Sequence, residues 1–266
     1  RTPAGSTVLV TEESQVVRVT IMEDLIAKAA TLLEALPYIQ KFSGATFVVK
    51  HGGSFMDSPD PAIRDGVARD IVFLEAVEIN PVVVHGGGKA ITRAMEKAGL
   101  SANFVQGMRV TDERAVEVVE QVLSREINPG IVTAITSMGG LAKGLAGSDI
   151  FTCRRFRPKG SDGEEVDLGF VGEVVGVNTT PLLECIKNGI TPVISPTARA
   201  EDGQIHNCNA DVAAARVAIA LRARRLVFMS DVAGLMRDPR KPESVIPHVR
   251  VNEVDESKRR AIVEKG

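Results

Sequence analysis

The sequence predicts an α/β protein: a doubly wound, mainly parallel sheet with helices on both faces. Thr46-Phe-Val-Val-Lys50 and Pro81-Val-Val-Val-His85 are short apolar runs that each close in a glycine-rich turn and are joined by a helical pattern, which makes a βαβ unit. The same order returns later, where Ile190-Thr-Pro-Val-Ile194 leads through a helical stretch to Leu226-Val-Phe-Met229. Across 266 residues no repeat, heptad run or low-complexity linker breaks this alternation. That length suits one large α/β unit or two tightly joined lobes.

Taken in order, Thr20 and Glu23 have capping-box spacing, and Met22, Leu25, Ile26, Ala29, Leu32, Leu33 and Leu36 continue as a helical apolar stripe that is expected to stop near Pro37. This helix precedes the first strong strand, and it either packs on its own domain or docks on a neighbouring subunit. Residues 61–79 supply the next helix, and another follows Gly86-Gly-Gly88 as far as Ala98. Helices are expected over 113–123 and 129–137. The polar, glycine-rich stretch from Cys153 to Gly172 reads as a hairpin. A helix over 210–221 separates the last two strands.

Composition narrows the partners. Lys plus Arg number 32 against 34 Asp plus Glu, a net charge of −2, which gives no electrostatic case for nucleic acid or an anionic membrane. No apolar run approaches the roughly 18 residues that cross a bilayer. Cys153, Cys185 and Cys208 are widely spaced and form no C-x-x-C pair, so neither a disulfide framework nor a zinc site is expected, and a reducing compartment fits. The four histidines show no metal-binding spacing, and no G-x-S-x-G element occurs. Residues 1–15 carry Glu12 and Glu13 and no apolar core, so they do not form an intact secretory signal. The chain starts without Met, and a processed or trimmed product is the expectation at both ends.

Chemistry is expected at the strand ends. In open parallel sheets, ligands bind beyond the carboxyl ends of the strands, where backbone N–H groups and helix N-termini hold anions. Glycine matters there because a Cβ would block both the tight turn and the close approach of the anion. Lys50-His-Gly-Gly53 and His85-Gly-Gly-Gly88 are two such turns, at successive strand ends. One alone would read as a plain turn, and the pair favours a ligand. Neither fits a P-loop or G-x-G-x-x-G fingerprint. Lys50 either delivers an ammonium to phosphate oxygens or reaches into water. Arg109, ahead of a helix that Thr111 or Asp112 could cap, either clamps a carboxylate or is a surface arginine. In Asn207-Cys-Asn-Ala-Asp211, Asn209 and Asp211 have the places of an N-cap and a helix-dipole partner. The functional alternative is that Asn207 binds substrate while Asp211 orients lysines. Ser230-Asp-Val-Ala-Gly234, directly after a strand, is a further loop at the ligand edge.

In sequence, V-V-K-H-G-G, V-V-V-H-G-G-G, Q-G-M-R-V-T-D, G-F-V-G-E-V, N-C-N-A-D and S-D-V-A-G-L resemble the signature segments of the acetylglutamate kinases, a branch of the amino-acid kinase family in arginine biosynthesis. The likeness covers about residues 36–266. It implies a three-layer αβα sandwich around an eight-stranded, mainly parallel central sheet, the amino-acid kinase fold. Residues 1–40 would be an N-terminal extension and helix for oligomerisation and 41–266 the kinase domain, with an acyl-substrate half over 41–195 and a nucleotide half over 196–266.

The implied reaction moves the γ-phosphoryl group of ATP, with Mg²⁺, onto the side-chain carboxylate of N-acetyl-L-glutamate. By resemblance Lys50 and Asp211 are catalytic, and Gly86, Gly87, Arg109 and Asn207 bind acetylglutamate. Gly52, Gly53, Ser230, Asp231 and Gly234 attend ATP, Tyr38 sits near an arginine effector site, and residues 153–172 form a lid. No protein ligand for a metal is implied. A carboxylate with a pKa of about 4.3 is already ionised at neutral pH and needs no general base, so the task is to align two anions and neutralise the equatorial oxygens.

This sequence departs from the family's pattern at His51, where Tyr or Leu is usual, and at Lys89-Ala90, where Pro-Glu is usual. The family's second lysine lies in a G-G-M-x-x-K segment that would begin near Gly266. The N-terminal helix resembles the one that joins dimers into an arginine-inhibited hexamer, so a homodimer or hexamer in the cytoplasm or an organelle stroma is implied. Relatives that phosphorylate glutamate, aspartate, carbamate or a nucleoside monophosphate offer other acceptors. An arginine-sensing regulatory subunit of weak activity is the alternative from another class.

Overall fold

The computed structural model describes residues 12–52, 60–160, 163–230, 232, 234–238, 240–250 and 252. It divides into two units, residues 1–43 and 44–266. In the first, α1 (Glu12–Phe42) is a single helix with Pro37 inside it. It begins earlier than the Thr20 cap predicts, because no proline or glycine interrupts residues 12–19. It also runs past the expected stop at Pro37: a proline removes one i→i−4 bond and strains one turn, a local cost that a helix this long carries. Its apolar stripe is exposed, with Leu32 at 67% and Leu33 at 68% of full exposure.

The second unit is built on a five-stranded sheet. Its strands are β1 (Thr46–His51), β2 (Asn80–His85), β5 (Ala142–Leu145), β8 (Thr191–Ile194) and β11 (Arg225–Met229). They lie in the order β11-β1-β2-β8-β5, and every pairing is parallel. Five strands among the described residues replace the eight that the resemblance implies. The apolar runs of β1 and β2 are buried on both faces, as a parallel sheet covered by helices on each side requires.

Strand alternation sends Val48, Val82, Val84 and Ile194 to one face. They meet Ala213, Ala214 and Val217 of α8 (Ala210–Ala220) and Leu182 of α7 (Thr180–Lys187). Val49, Val83 and Val193 face the other way, toward α2 (Pro61–Ala76), α3 (Gly88–Lys97), α4 (Glu113–Glu120) and α5 (Asn128–Ser137). Burying a side chain such as Val83 completely contributes about 1.5–3 kcal/mol.

Between α4 and α5 the chain winds as a π-helix over Gln121–Ile127, so the two helices expected over 113–123 and 129–137 form one continuous rod. Pro129 has no N–H to donate and its ring would press on the carbonyl of Arg125, and the wider winding relieves both. A short hairpin joins β3 (Phe104–Val105) to β4 (Met108–Arg109). Its turn residues Gln106 and Gly107 both have positive φ, 49° and 75°, the geometry that matches strand twist in a two-residue hairpin. The predicted 153–172 hairpin is present: β6 (Phe151–Arg155) pairs antiparallel with β7 (Val171–Val177). The pair closes into a small barrel with β9 (Thr197–Ala200) and β10 (Ile205–Cys208), neither of which has a strong sequence signal.

Candidate active site

The two glycine turns lie side by side. Lys50 and His51 at the end of β1 are in register with Val84 and His85 of β2, and Gly86 N donates to His51 O at 2.8 Å. Lys50 faces α8, the side opposite Val49, and its Nζ lies 3.1 Å from Asp211 Oδ1. Asp211 reaches that position because Asn209 caps α8, its Oδ1 accepting from Asp211 N and Val212 N at 2.9 and 3.0 Å. The cap fixes the first turn of the helix and with it the direction of the carboxylate. Asn209 and Asp211 therefore hold the bland positions that the sequence allowed, and Asp211 in addition meets the lysine.

Beside this pair opens a cavity of about 430 Å³, bordered by Gly86, Gly87, Arg109, Asn207 and Asp211. Phe104, Met108 and Phe156 add apolar wall, and Glu173 adds a carboxylate. The Arg109 guanidinium donates to Thr92 Oγ1 at 2.8 Å and to Gly88 O at 3.1 Å. It stacks on the Phe104 ring at 4.6 Å. Arg109 is thus not the surface arginine that the sequence left open: it is 7% exposed and held in place before any ligand arrives.

The segment that carries Arg109 is tied to the hairpin connection. Thr111 N donates to Leu168 O at 2.9 Å and Phe170 N to Thr111 O at 2.6 Å. Gly169 sits at φ +74°, and a Cβ there would come 2.2 Å from Thr111 O. Asp112, not Thr111, caps the following helix, accepting from Ala115 N at 2.8 Å.

Asn207 on β10 pairs with Val171 and Thr197 and enters the cavity from the small barrel. Next to it Cys208 shares a thiol hydrogen bond with Cys153, which raises the Cys208 pKa and lowers that of Cys153. All three cysteines are free and buried.

Gly52 closes β1, and its carbonyl accepts from His51 Nδ1 at 2.9 Å. Ser230 follows β11 and accepts from Val232 N at 3.1 Å. Gly234 takes φ +142°, which a side chain would strain. Gly53 and Asp231 lie outside the described residues. Tyr38 is on α1 and 67% exposed.

Residues 45–266 match the model of the amino acid kinase family. The chain belongs to that family. Among relatives of this amino acid kinase, the acetylglutamate kinase of Halothermothrix orenii is 42% identical over 233 residues, covering 88% of this chain and 79% of that protein. The acetylglutamate kinase of Methanocaldococcus jannaschii is 45% identical, with 88% and 80% covered. Among solved structures, the N-acetylglutamate synthase of Neisseria gonorrhoeae in complex with coenzyme A and N-acetylglutamate superposes with a TM-score of 0.69. It is 22% identical and covers 89% of this chain and 54% of that one, a likeness of fold alone.

Sequence reasoning gave no role to Phe104, Met108, Phe156, Glu173, His85 or Asn128, although Met108, Glu173 and His85 stand in the segments that carry the resemblance. The two-residue hairpin turn at Gln106-Gly107 was the available signal for Phe104 and Met108. Nothing local marks Phe156 and Asn128, which come from separate elements.

Proposed function

We propose that this chain transfers the γ-phosphoryl group of ATP to the side-chain carboxylate of N-acetyl-L-glutamate, a step of arginine biosynthesis. The observation that carries the reading is the Lys50–Asp211 pair, 3.1 Å apart, at the rim of a cavity that also holds Arg109 and Asn207. The relatives named acetylglutamate kinase support the choice of acceptor.

A carboxylate oxygen attacks the γ-phosphorus, and the bond to the β,γ-bridging oxygen breaks, its electron pair leaving with ADP. Lys50 stabilises charge on the transferring group, and Asp211 holds its ammonium on line. Gly86 and Gly87 offer backbone N–H groups to the acyl end. Arg109 takes the α-carboxylate bidentately, and Asn207 hydrogen-bonds the acetamido group. Gly52 and Gly53 attend the phosphates of ATP, with Ser230, Asp231 and Gly234 on the nucleoside side. Residues 41–195 then serve the acyl substrate and 196–266 the nucleotide.

The Asp211 carboxylate is engaged with Lys50. These residues suit Mg²⁺ that arrives on the ATP phosphates, where it supplies charge neutralisation. The exposed stripe of α1, with Leu25, Ile26, Leu32 and Leu33, suits a homodimer or hexamer joined through this helix. Arginine bound near Tyr38 would act as the inhibitor. Three free, buried thiols suit a reducing cytoplasm or stroma.

The test is ATP-dependent acyl phosphate formation, trapped with hydroxylamine, on acetylglutamate, glutamate and aspartate, using this chain and a version extended beyond Gly266. Hydroxamate is expected from acetylglutamate alone, and Lys50→Ala should lower it by about 10³-fold, as for other cationic groups on a transferring phosphoryl. No product from any of the acceptors with the extended form would refute the reading.

A further inference from the structure

His85 is fully buried at the end of β2, one residue before the glycines that border the cavity. Its ring is the middle of a hydrogen-bond chain whose direction is fixed at both ends. Asn128 Nδ2 lies 2.8 Å from Val193 O, a group that can only accept, so the amide nitrogen is the donor there. The same nitrogen lies 3.3 Å from His85 Nε2. At the other end His85 Nδ1 lies 3.0 Å from Gly86 O, again an acceptor only. A neutral imidazole satisfies both contacts in one tautomer: the proton on Nδ1, donated to Gly86 O, and the lone pair on Nε2, taking the Asn128 amide. Burial keeps the ring neutral, lowering its pKa from 6.5 to about 4. Gly144 leaves room for the Asn128 amide, since a Cβ there would come 2.2 Å from Oδ1.

The consequence falls on the next peptide. Gly86 has both backbone groups engaged, its N–H on His51 O at 2.8 Å and its C=O on the imidazole. A trans peptide sends the C=O of Gly86 and the N–H of Gly87 to opposite sides. His85 shares a face with Val83, the face covered by α5, and the neighbouring Val84 packs on the face covered by α8. Drawing the Gly86 carbonyl toward α5 turns the Gly87 N–H toward α8, where Asp211 and Lys50 stand. A Cβ on Gly87 would meet the methyl ends Ile127 Cδ1 and Leu123 Cδ2 at 2.6 and 2.7 Å, so a side chain there would have to displace them.

We infer that His85, with Asn128 behind it, is a positioning residue of this kinase: its Nδ1–H locks the Gly86–Gly87 peptide so that the Gly87 N–H faces the reacting acyl group. The catalytic consequence rests on the phosphotransfer reading, and the tautomer does not. β1 ends in the same way, His51 Nδ1 lying 2.9 Å from Gly52 O.

Two measurements test it. Long-range ¹H–¹⁵N spectra of the intact wild-type chain should show His85 in the Nδ1–H tautomer, the less common one for histidine. A ring protonated at Nε2 would overturn the inference whatever the enzyme's acceptor. Kinetics then compare two amides. In His85→Asn the side-chain NH₂ falls near the place of Nδ1 and keeps the donor. In His85→Gln it falls near that of Nε2 and loses it. Both variants are assayed below their own melting temperatures.

Loss of one oriented donor to developing charge costs about 10²–10³-fold in turnover. His85→Gln should therefore lose that much kcat, with KM for ATP within about twofold of wild type, while His85→Asn stays within about tenfold of wild type. Turnover by His85→Gln within threefold of wild type, or equal losses in both variants, would reduce His85 to packing. A wild type that phosphorylates no carboxylate would fail the functional reading and leave the tautomer test standing.

Discussion

Acid should loosen this protein through His85 before most of its carboxylates protonate. The folded state holds the imidazole neutral down to about pH 4, chiefly because burial penalises the cation, whereas in the unfolded chain the ring titrates near 6.5. Between those values the unfolded chain binds a proton that the folded chain refuses, so stability falls as the pH drops through the window and this contribution levels off below it. At about 1.4 kcal/mol for each tenfold difference in proton affinity, the whole window is worth about 3 kcal/mol. That is a large part of the 5–15 kcal/mol by which folded proteins generally survive.

The chain has no tryptophan, so urea unfolding is best followed by far-UV circular dichroism, at half-unit steps from pH 7 to 4, for wild type and His85→Asn. The asparagine does not titrate, and the carboxylates remote from this position titrate in both proteins and cancel in the difference. Wild type should exceed the variant by the widest margin at pH 7, and the margin should shrink by about 3 kcal/mol by pH 4. A margin constant across the range would mean that His85 is not held neutral by its surroundings, and the reasoning would fail.

Two further outcomes follow from the site's geometry. Arg109→Lys keeps the charge but not the planar fork that meets Thr92 and Gly88 together, so KM for the acyl substrate should rise by about tenfold or more with KM for ATP little changed, read from initial rates with each substrate varied. Gly147→Ala would bring a Cβ to 2.0 Å from Ser195 O and 2.2 Å from Thr197 O, backbone atoms that cannot swing aside. Gly87→Ala would meet only the methyl ends of Ile127 and Leu123, so it should lose about 1–3 kcal/mol by thermal melting while Gly147→Ala loses clearly more.

The main sheet was legible because its signals are local. The apolar runs of β1 and β2, the glycine turns that end them, and the helix after each are written in consecutive residues, and parallel strands buried on both faces leave little else for Val82-Val-Val84 to be. The small barrel was not legible. The strands β9 and β10 are four residues long and pair with each other across residues 201–204, where Asp202-Gly203 is a local hairpin signal that the sequence reading did not use, but their other partners β6 and β7 are far away in sequence, so nothing local announces the barrel. The ends of α1 were misplaced for a related reason: a capping box and a proline bias a helix end, and a favourable continuation overrides each.

The residue types were legible in the sequence alone: Lys50, Arg109 and Asn207, with their fitness for binding an anionic substrate, and Asp211, with a carboxylate able to orient a lysine. Their relation in space was not. That Lys50 meets Asp211, that Phe104 and Thr92 hold Arg109, and that Asn128 and His85 form one directed hydrogen-bond chain required β1, α3, α5 and α8 to pack around the same sheet edge. Hydrogen bonds and ion pairs act over about 3 Å, whereas these partners, the hairpin neighbours Phe104 and Arg109 apart, are separated by 17 to 161 positions of chain, a distance that only the tertiary fold removes.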